Sequence, residues 1–350
     1  MPDQNETPGV LNQLLDAAGS LFHTIGSRLG GVFLSPGSSF SILSLAIALV
    51  IAVAFLVLKG RRKLRHPKVL LRALFPKWFW NNASMRADIG FFFLNIFVTG
   101  ALVGWALISY GVVSDAVSAT LSDRLGASPN LVTSPLWRGV LITIALFLAY
   151  DFGYWLDHKL KHVIPALWEF HRVHHTAEVL SPLTVYRMHP VDSLIFYNII
   201  SISLGLTHGL ATYVMGGTGQ AALLSGTNIL LAVFMMTTIH LQHSHIGLNF
   251  TGIWGKIFFS PAHHQIHHSN DPRHYGSNLG SCLAIWDLMF GTLRQPAADD
   301  KRLKFGAEPE PDGSSPHSAT ASLVSPFGRA LAHLLPKRPA KQPVQTEAAV

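Results

Sequence analysis

Long apolar runs separated by short polar connections dominate the first two thirds of this chain. Residues 40–58, 89–113, 137–155, 191–215 and 221–239 each approach the length needed to cross a bilayer, since about 20 apolar residues in a helix span the hydrocarbon core. The pattern predicts an all-α integral membrane protein with about four to five transmembrane helices. Residues 1–37 are polar and Gly/Ser-rich, without the basic n-region of a cleavable signal peptide, and read as a surface-lying or loose tail, with a short amphipathic helix at 11–29 as the alternative. An amphipathic stretch at 253–259 is expected at the membrane interface. Residues 296–350 are rich in Pro, Ala and charge and read as a disordered tail, with a possible short lipid-touching segment at 327–337.

The connections carry the sidedness signal. Lys59, Arg61, Arg62, Lys63, Arg65, Lys68, Arg72 and Lys77 follow the first run, whereas 114–136 contains one basic residue, Arg124. Loops rich in Lys and Arg stay in the cytoplasm. Five spans then place the N-terminus outside and both His-rich stretches, 156–190 and that after residue 239, on the cytoplasmic side. The expected body is a helical membrane bundle with a cytoplasmic histidine-rich cap. Divided by pattern, the chain has a polar tail (1–37), an extra span with a basic segment (38–88), a membrane domain (89–295) and the C-terminal tail (296–350).

Composition supports lipid over water. Charged residues make up 13% of the chain and apolar ones 49%, against about a quarter charged in soluble domains. The net charge of +7 sits beside apolar runs, which favours anionic lipid over nucleic acid. The single cysteine, Cys282, can form no intrachain disulfide and no Cys-ligated cluster.

The chemistry lies in the histidines. Of 19, 15 fall between His158 and His274. His158 and His162 are four apart; His171, His174, His175 and again His264, His267, His268 follow the spacing i, i+3, i+4. Residues three and four apart share a helix face, so each group is expected to aim its imidazoles at one point. Neutral imidazole ligates iron, zinc and copper. The chain contains no His-Glu dipeptide for an HExxH zinc site. Carboxylates are too scarce around the clusters for a ferritin-like site. The number of histidines exceeds the four ligands of one tetrahedral ion and points to two metals. Isolated histidines such as His208, His23, His66, His317 and His333 need no metal.

The segments DHKLKH (157–162), HRVHH (171–175) and HHQIHH (263–268) resemble the histidine boxes of the membrane-bound fatty acid hydroxylase/sterol desaturase superfamily. YDFGYWLDH (150–158), YRMHP (186–190), LQHSHIGL (241–248) and the closing RHYGSNLGSCLAIWDLMFGTL (273–293) resemble further elements of that family, while His245, His263 and His274 depart from its pattern. The resemblance implies a non-haem di-iron oxygenase that hydroxylates or desaturates a lipid C–H bond, such as that of a sterol or fatty acyl chain. It would use O2 and an external electron donor, a ferredoxin or cytochrome with its reductase. Two iron ions would be held by His158, His162, His171, His174, His175, His243, His264, His267 and His268, with His240 as a tenth ligand. No catalytic residue is expected beyond the metal centre. Asp151, Asp157, Asp192 and Asp287 would orient ligands, His189 would ligate or line the pocket, and Tyr186, Arg187 and Tyr275 would line it or its entrance. The setting would be a bacterial inner membrane or an endoplasmic reticulum. The competing reading is a zinc-dependent membrane hydrolase built on the same histidines. A metal transporter would need ligands near mid-membrane, where only His208 lies.

Overall fold

The structure, a computed structural model, describes residues 10–59, 64, 66–297, 303–308, 310 and 313–335. Arg61, Arg62, Lys63 and Arg65 of the basic cluster and residues 336–350 lie outside the described residues. The described residues are mostly helical, with a small hairpin pairing Leu223–Leu224 with Thr227–Asn228.

Helix α1 (Val10–Phe33) precedes α2 (Ile42–Lys59). Helix α3 (Ala83–Leu94) continues through a π-helical stretch, Asn95–Thr99, towards α4 (Tyr110–Leu125). Then come α5 (Pro135–Val163), α6 (Pro165–His175), α7 (Pro190–Met215), α8 (Ile229–Phe234), α9 (Pro261–His267) and α10 (Ser325–Leu334). Among the described residues, four elements are long and apolar enough to cross a membrane: α2, the interrupted Ala83–Leu125, α5 and α7.

Proline sets where the helices nearest the histidines begin. Pro165, Pro190 and Pro261 each stand in the first turn of α6, α7 and α9. A missing N–H costs nothing there, and the fixed φ favours helix entry. Pro165 also ends α5, because the residue before a proline is driven out of the α region.

Helices α4, α5 and α7 pack closely because glycines line α7's contacts. A Cβ on Gly209 would stand 2.4 Å from the Ser114 carbonyl and 2.7 Å from the Val117 Cβ. One on Gly205 would stand 2.6 Å from Val113. Small residues let helix backbones approach where lipid offers no hydrophobic drive. The break at Leu107–Ser109 is covered by Asn198, which accepts from the Ile108 N–H at 2.7 Å and donates to the Ala106 carbonyl. Gly209→Leu is expected to destabilise the bundle by about 1–3 kcal/mol through overpacking, read as a lower thermal midpoint in detergent. An unchanged midpoint would mean that α4 and α7 do not pack this closely.

Three elements differ from the sequence pattern. Residues 114–125 extend a helix where a loop is expected, since α4 gains burial against α7. The fifth run is shortened: residues 223–228 form the hairpin, and the apolar helix is only Ile229–Gln242. The C-terminal segment, expected to be disordered, is folded at Ala319–Leu323 and in α10. Its charges are matched by partners on α6, and such tertiary complementarity is invisible to composition: Arg329 pairs with Glu169 at 2.7 Å and with Glu310 at 2.6 Å.

Candidate metal centre

Nine buried or half-buried histidines converge in two groups. The first holds His158 and His162 of α5, His171 and His175 of α6, and His267 of α9. The second holds His174 of α6, His243, and His264 and His268 at the end of α9. Within each group, one nitrogen per ring lies within 4.8 Å of every other. The groups adjoin, with the His175 and His268 rings 4.6 Å apart.

The i, i+3, i+4 spacing works differently from the expectation that each box aims at one point. In both boxes the i and i+4 residues serve one group and the i+3 residue serves the other. Helical geometry explains the division. Adjacent residues diverge by about 100° around the axis, so positions i+3 and i+4 face different groups. Residues i and i+4 stay within about 40° of each other and chelate as a pair. Each box therefore ties the two groups together.

The nitrogens fit metal ions. Nε2–Nε2 separations are 2.9 Å for His243–His264, 3.1 Å for His264–His268, and 3.2 Å for His174–His243 and His175–His267. Imidazoles sharing one ion at a bond length of about 2.1 Å place their nitrogens about 3 Å apart. The Nε2 atoms of His158, His162 and His171 are buried with no hydrogen-bond partner. An unpaired buried polar atom is costly, and coordination offsets that cost. Burial, reinforced by neighbouring imidazoles, holds His174, His175, His264 and His268 well below the usual histidine range. His243 and His267 are pushed down to about 3, chiefly by burial. The neutral ring is the ligating form.

Groups around the rings fix their tautomers. His158 Nδ1–H donates to the Leu279 carbonyl, and His267 Nδ1–H to that of Ser277, each at 2.9 Å. Both leave Nε2 free to ligate. Asp192 Oδ2 lies 3.5 Å from His171 Nδ1, and its Oδ1 pairs with buried Lys161 at 2.6 Å. Lys161 also pairs with Asp157 at 2.7 Å. Sequence reasoning missed Lys161; the signal was the Asp157–Lys161 spacing of four, a helical ion-pair register. Asp192→Ala is expected to weaken metal affinity about 10–100-fold, measured by competition with a chelator. Unaltered affinity would remove Asp192 from any orienting role.

Other expected site residues lie apart. His240 is in neither group: its Nε2 meets the Ser39 carbonyl and Ser44 Oγ. His189 caps α7, accepting from the Val191 N–H, and its Nε2–H donates to the Leu323 carbonyl. His263 closes a capping box with Ser260, and His245 donates to the Ala73 carbonyl. Asp151 and Asp287 touch no clustered histidine by hydrogen bond. Asp151 accepts from Cys282 N, Leu283 N and Trp286 Nε1, while Asp287 accepts from Leu279 N, Gly280 N and Thr292 Oγ1. They tie the 279–286 loop beneath the site. Tyr186 is packed between Phe40 and Phe92, and Arg187 is fully buried rather than at an entrance. Tyr275, 58% exposed, does line a cavity of about 360 Å³ that opens on His162, His175, His267 and His268.

Helices long and apolar enough to cross a membrane, joined to two all-histidine groups that could each hold a metal ion, define the class of arrangement. Residues 143–292 match the family model described as fatty acid hydroxylase. It is 24% identical over 238 residues to an alkylglycerol monooxygenase of Homo sapiens, covering 61% of this chain and 48% of that protein. It is 29% identical over 155 residues to the ornithine lipid hydroxylase OlsE of Rhizobium tropici (44% and 42% covered). A Delta(7)-sterol-C5(6)-desaturase of Nicotiana tabacum is 28% identical over 175 residues (46% and 55% covered). The chain thus spans about half the length of these relatives. No solved structure matches it significantly.

Proposed function

We propose that this protein is a membrane-bound oxygenase that hydroxylates or desaturates a C–H bond of a lipid, with two iron ions held by the nine clustered histidines. The observation that carries the reading is the pair of adjoining all-histidine groups, five and four rings, cross-linked by two boxes. The named relatives act on alkylglycerols, ornithine lipids and sterols, so a lipid substrate is the common denominator. Bound iron supplies O2 activation and C–H cleavage, with electrons from a ferredoxin or cytochrome.

The chain's own residues prepare the site. Leu279 and Ser277 carbonyls hold protons on Nδ1, Asp192 faces His171, and burial keeps bulk water from the rings. The cavity beside His175 and His268 is at the low end of the range for small-molecule pockets, about 300–1,000 Å³, and suits the end of a flexible chain. The histidine-bearing end faces the cytoplasm and the N-terminus lies outside. In support, Ala52 in the second half of α2 packs with Leu241, Ile246 and Leu74, so Leu74, two residues after Arg72, lies beside the segment carrying His243.

The test is metal content of detergent-purified protein, followed by O2-dependent turnover of lipid extracts. Iron at about two per chain, with turnover lost under anaerobic conditions, is the expected result. Zinc that persists after growth in iron-rich, zinc-poor medium, with O2-independent hydrolysis, would replace this reading with the membrane hydrolase.

A further inference from the structure

The family-matching segment ends at residue 292, yet the chain beyond it contributes to the cavity over the histidines. Gly306, Ala307 and Glu308 form one wall; His175, His267 and His268 stand among the lining residues with them. This piece is fastened at two places. On one side it meets the chain just after the last histidine box: Phe305 bridges Ser269, and Asn270 N–H donates to the Lys304 carbonyl at 2.9 Å. On the other it is fastened to α6 between that helix's histidines. Arg172, next to His171, donates to the Glu308 carbonyl and to Glu310 Oε1, the latter at 2.6 Å.

Glu310 is the keystone of this second attachment. Its Oε1 takes Arg172 of α6, and its Oε2 takes Arg329 of α10 at 2.6 Å. Arg329 continues to Glu169 of α6 at 2.7 Å, and His333 to the same carboxylate at 3.1 Å. Arg172 and Glu310 are both buried, so removing the Glu310 carboxylate takes away the charge that faces Arg172 in a low-dielectric setting. The wall is thin where it faces the cavity. Gly306 holds φ +108°, a conformation that resists side chains, and Ala307 adds only a methyl.

We propose that the described residues 303–308 and 310, clamped to α6 through Glu310 and α10, form a strap that sets how bulky a molecule can reach the metal centre. Glu310 and Arg329 are positioning residues, and Ala307 is a specificity-determining one. The proposal rests on the two-iron reading, and two readouts keep their failures apart.

The first is the rate at which 2,2′-bipyridine extracts iron from the reduced, iron-loaded full-length protein in detergent. Releasing the strap by Glu310→Ala is expected to speed extraction about tenfold, as local opening exposes the site. Narrowing the cavity by Ala307→Trp is expected to slow extraction severalfold, with iron content as in the wild type. Iron-loaded variants that both release metal at the wild-type rate would overturn the strap. The second readout is hydrogen exchange of the metal-free protein, which needs no iron. Glu310→Ala is expected to lose protection over 303–308 while α5 keeps its own. Unchanged protection there would overturn the clamp, even if the wild type proved to bind no iron and the di-iron reading itself had failed.

Discussion

His158→Ala and His264→Ala are each expected to empty one half of the centre, lowering iron from about two per chain towards about one and turnover by about 100-fold or more. The two residues belong to different groups. His158 shares the first with His267, the ring centroids 4.4 Å apart, and His264 shares the second with His243, also at 4.4 Å. Losing one ring from a group of five or four opens a coordination position and leaves its neighbours' buried nitrogens without a shared ion. The double variant is expected to lose both ions. His240→Ala and His245→Ala serve as controls, because their Nε2 atoms face Ser39 and Ala73 instead, and both should keep full iron. Elemental analysis beside O2 uptake checks all five. If His240→Ala lost iron while His264→Ala kept it, the division into two groups would be wrong.

This division marks the limit of what the sequence reveals. The apolar runs foretell the membrane helices because burial in lipid is a local, additive property of each segment. The nine clustered rings are likewise those of the boxes and His243, since i, i+4 spacing fixes which side chains share a face. The division of each box between two groups was not legible. It depends on α6 and α9 meeting so that position i+3 of each faces the other's pair. His240 shows the converse: three residues before His243 it shares a helical register, but the helix ends at Gln242 and the two rings part. The C-terminal strap was hidden for a third reason. Arg172 and Glu169 stand far in sequence from Glu310 and Arg329, and only their convergence in the fold makes them one network.

Arg187 shows how far the metal centre depends on residues that touch no ligand, and its loss is expected to be the most destabilising single change outside the histidines. The side chain is 0% exposed and pairs with equally buried Asp88 at 2.8 Å. Its Nη1 also reaches the Ser84 carbonyl and hydroxyl of α3, each at 3.1 Å. Its Nε donates to the Val173 carbonyl and to Thr176 Oγ1, the residues flanking His174 and His175. Nη2 lies 2.6 Å from His317 Nδ1 of the C-terminal segment. One guanidinium thus joins α3, the end of α6 and the chain beyond the family-matching segment. Arg187→Met would leave buried Asp88 without its counter-ion, a loss of about 3–5 kcal/mol. A large fall in thermal midpoint in detergent and reduced iron retention are the expected readings. Arg187→Lys should recover little, because an ammonium cannot reproduce the planar fork that serves these partners together. Asp88→Asn keeps the shape but leaves Arg187 as the unpaired charge, so it too should be destabilised. If Arg187→Lys matched the wild type in midpoint and iron, the fork geometry would be irrelevant and charge alone would hold the end of α6 in place.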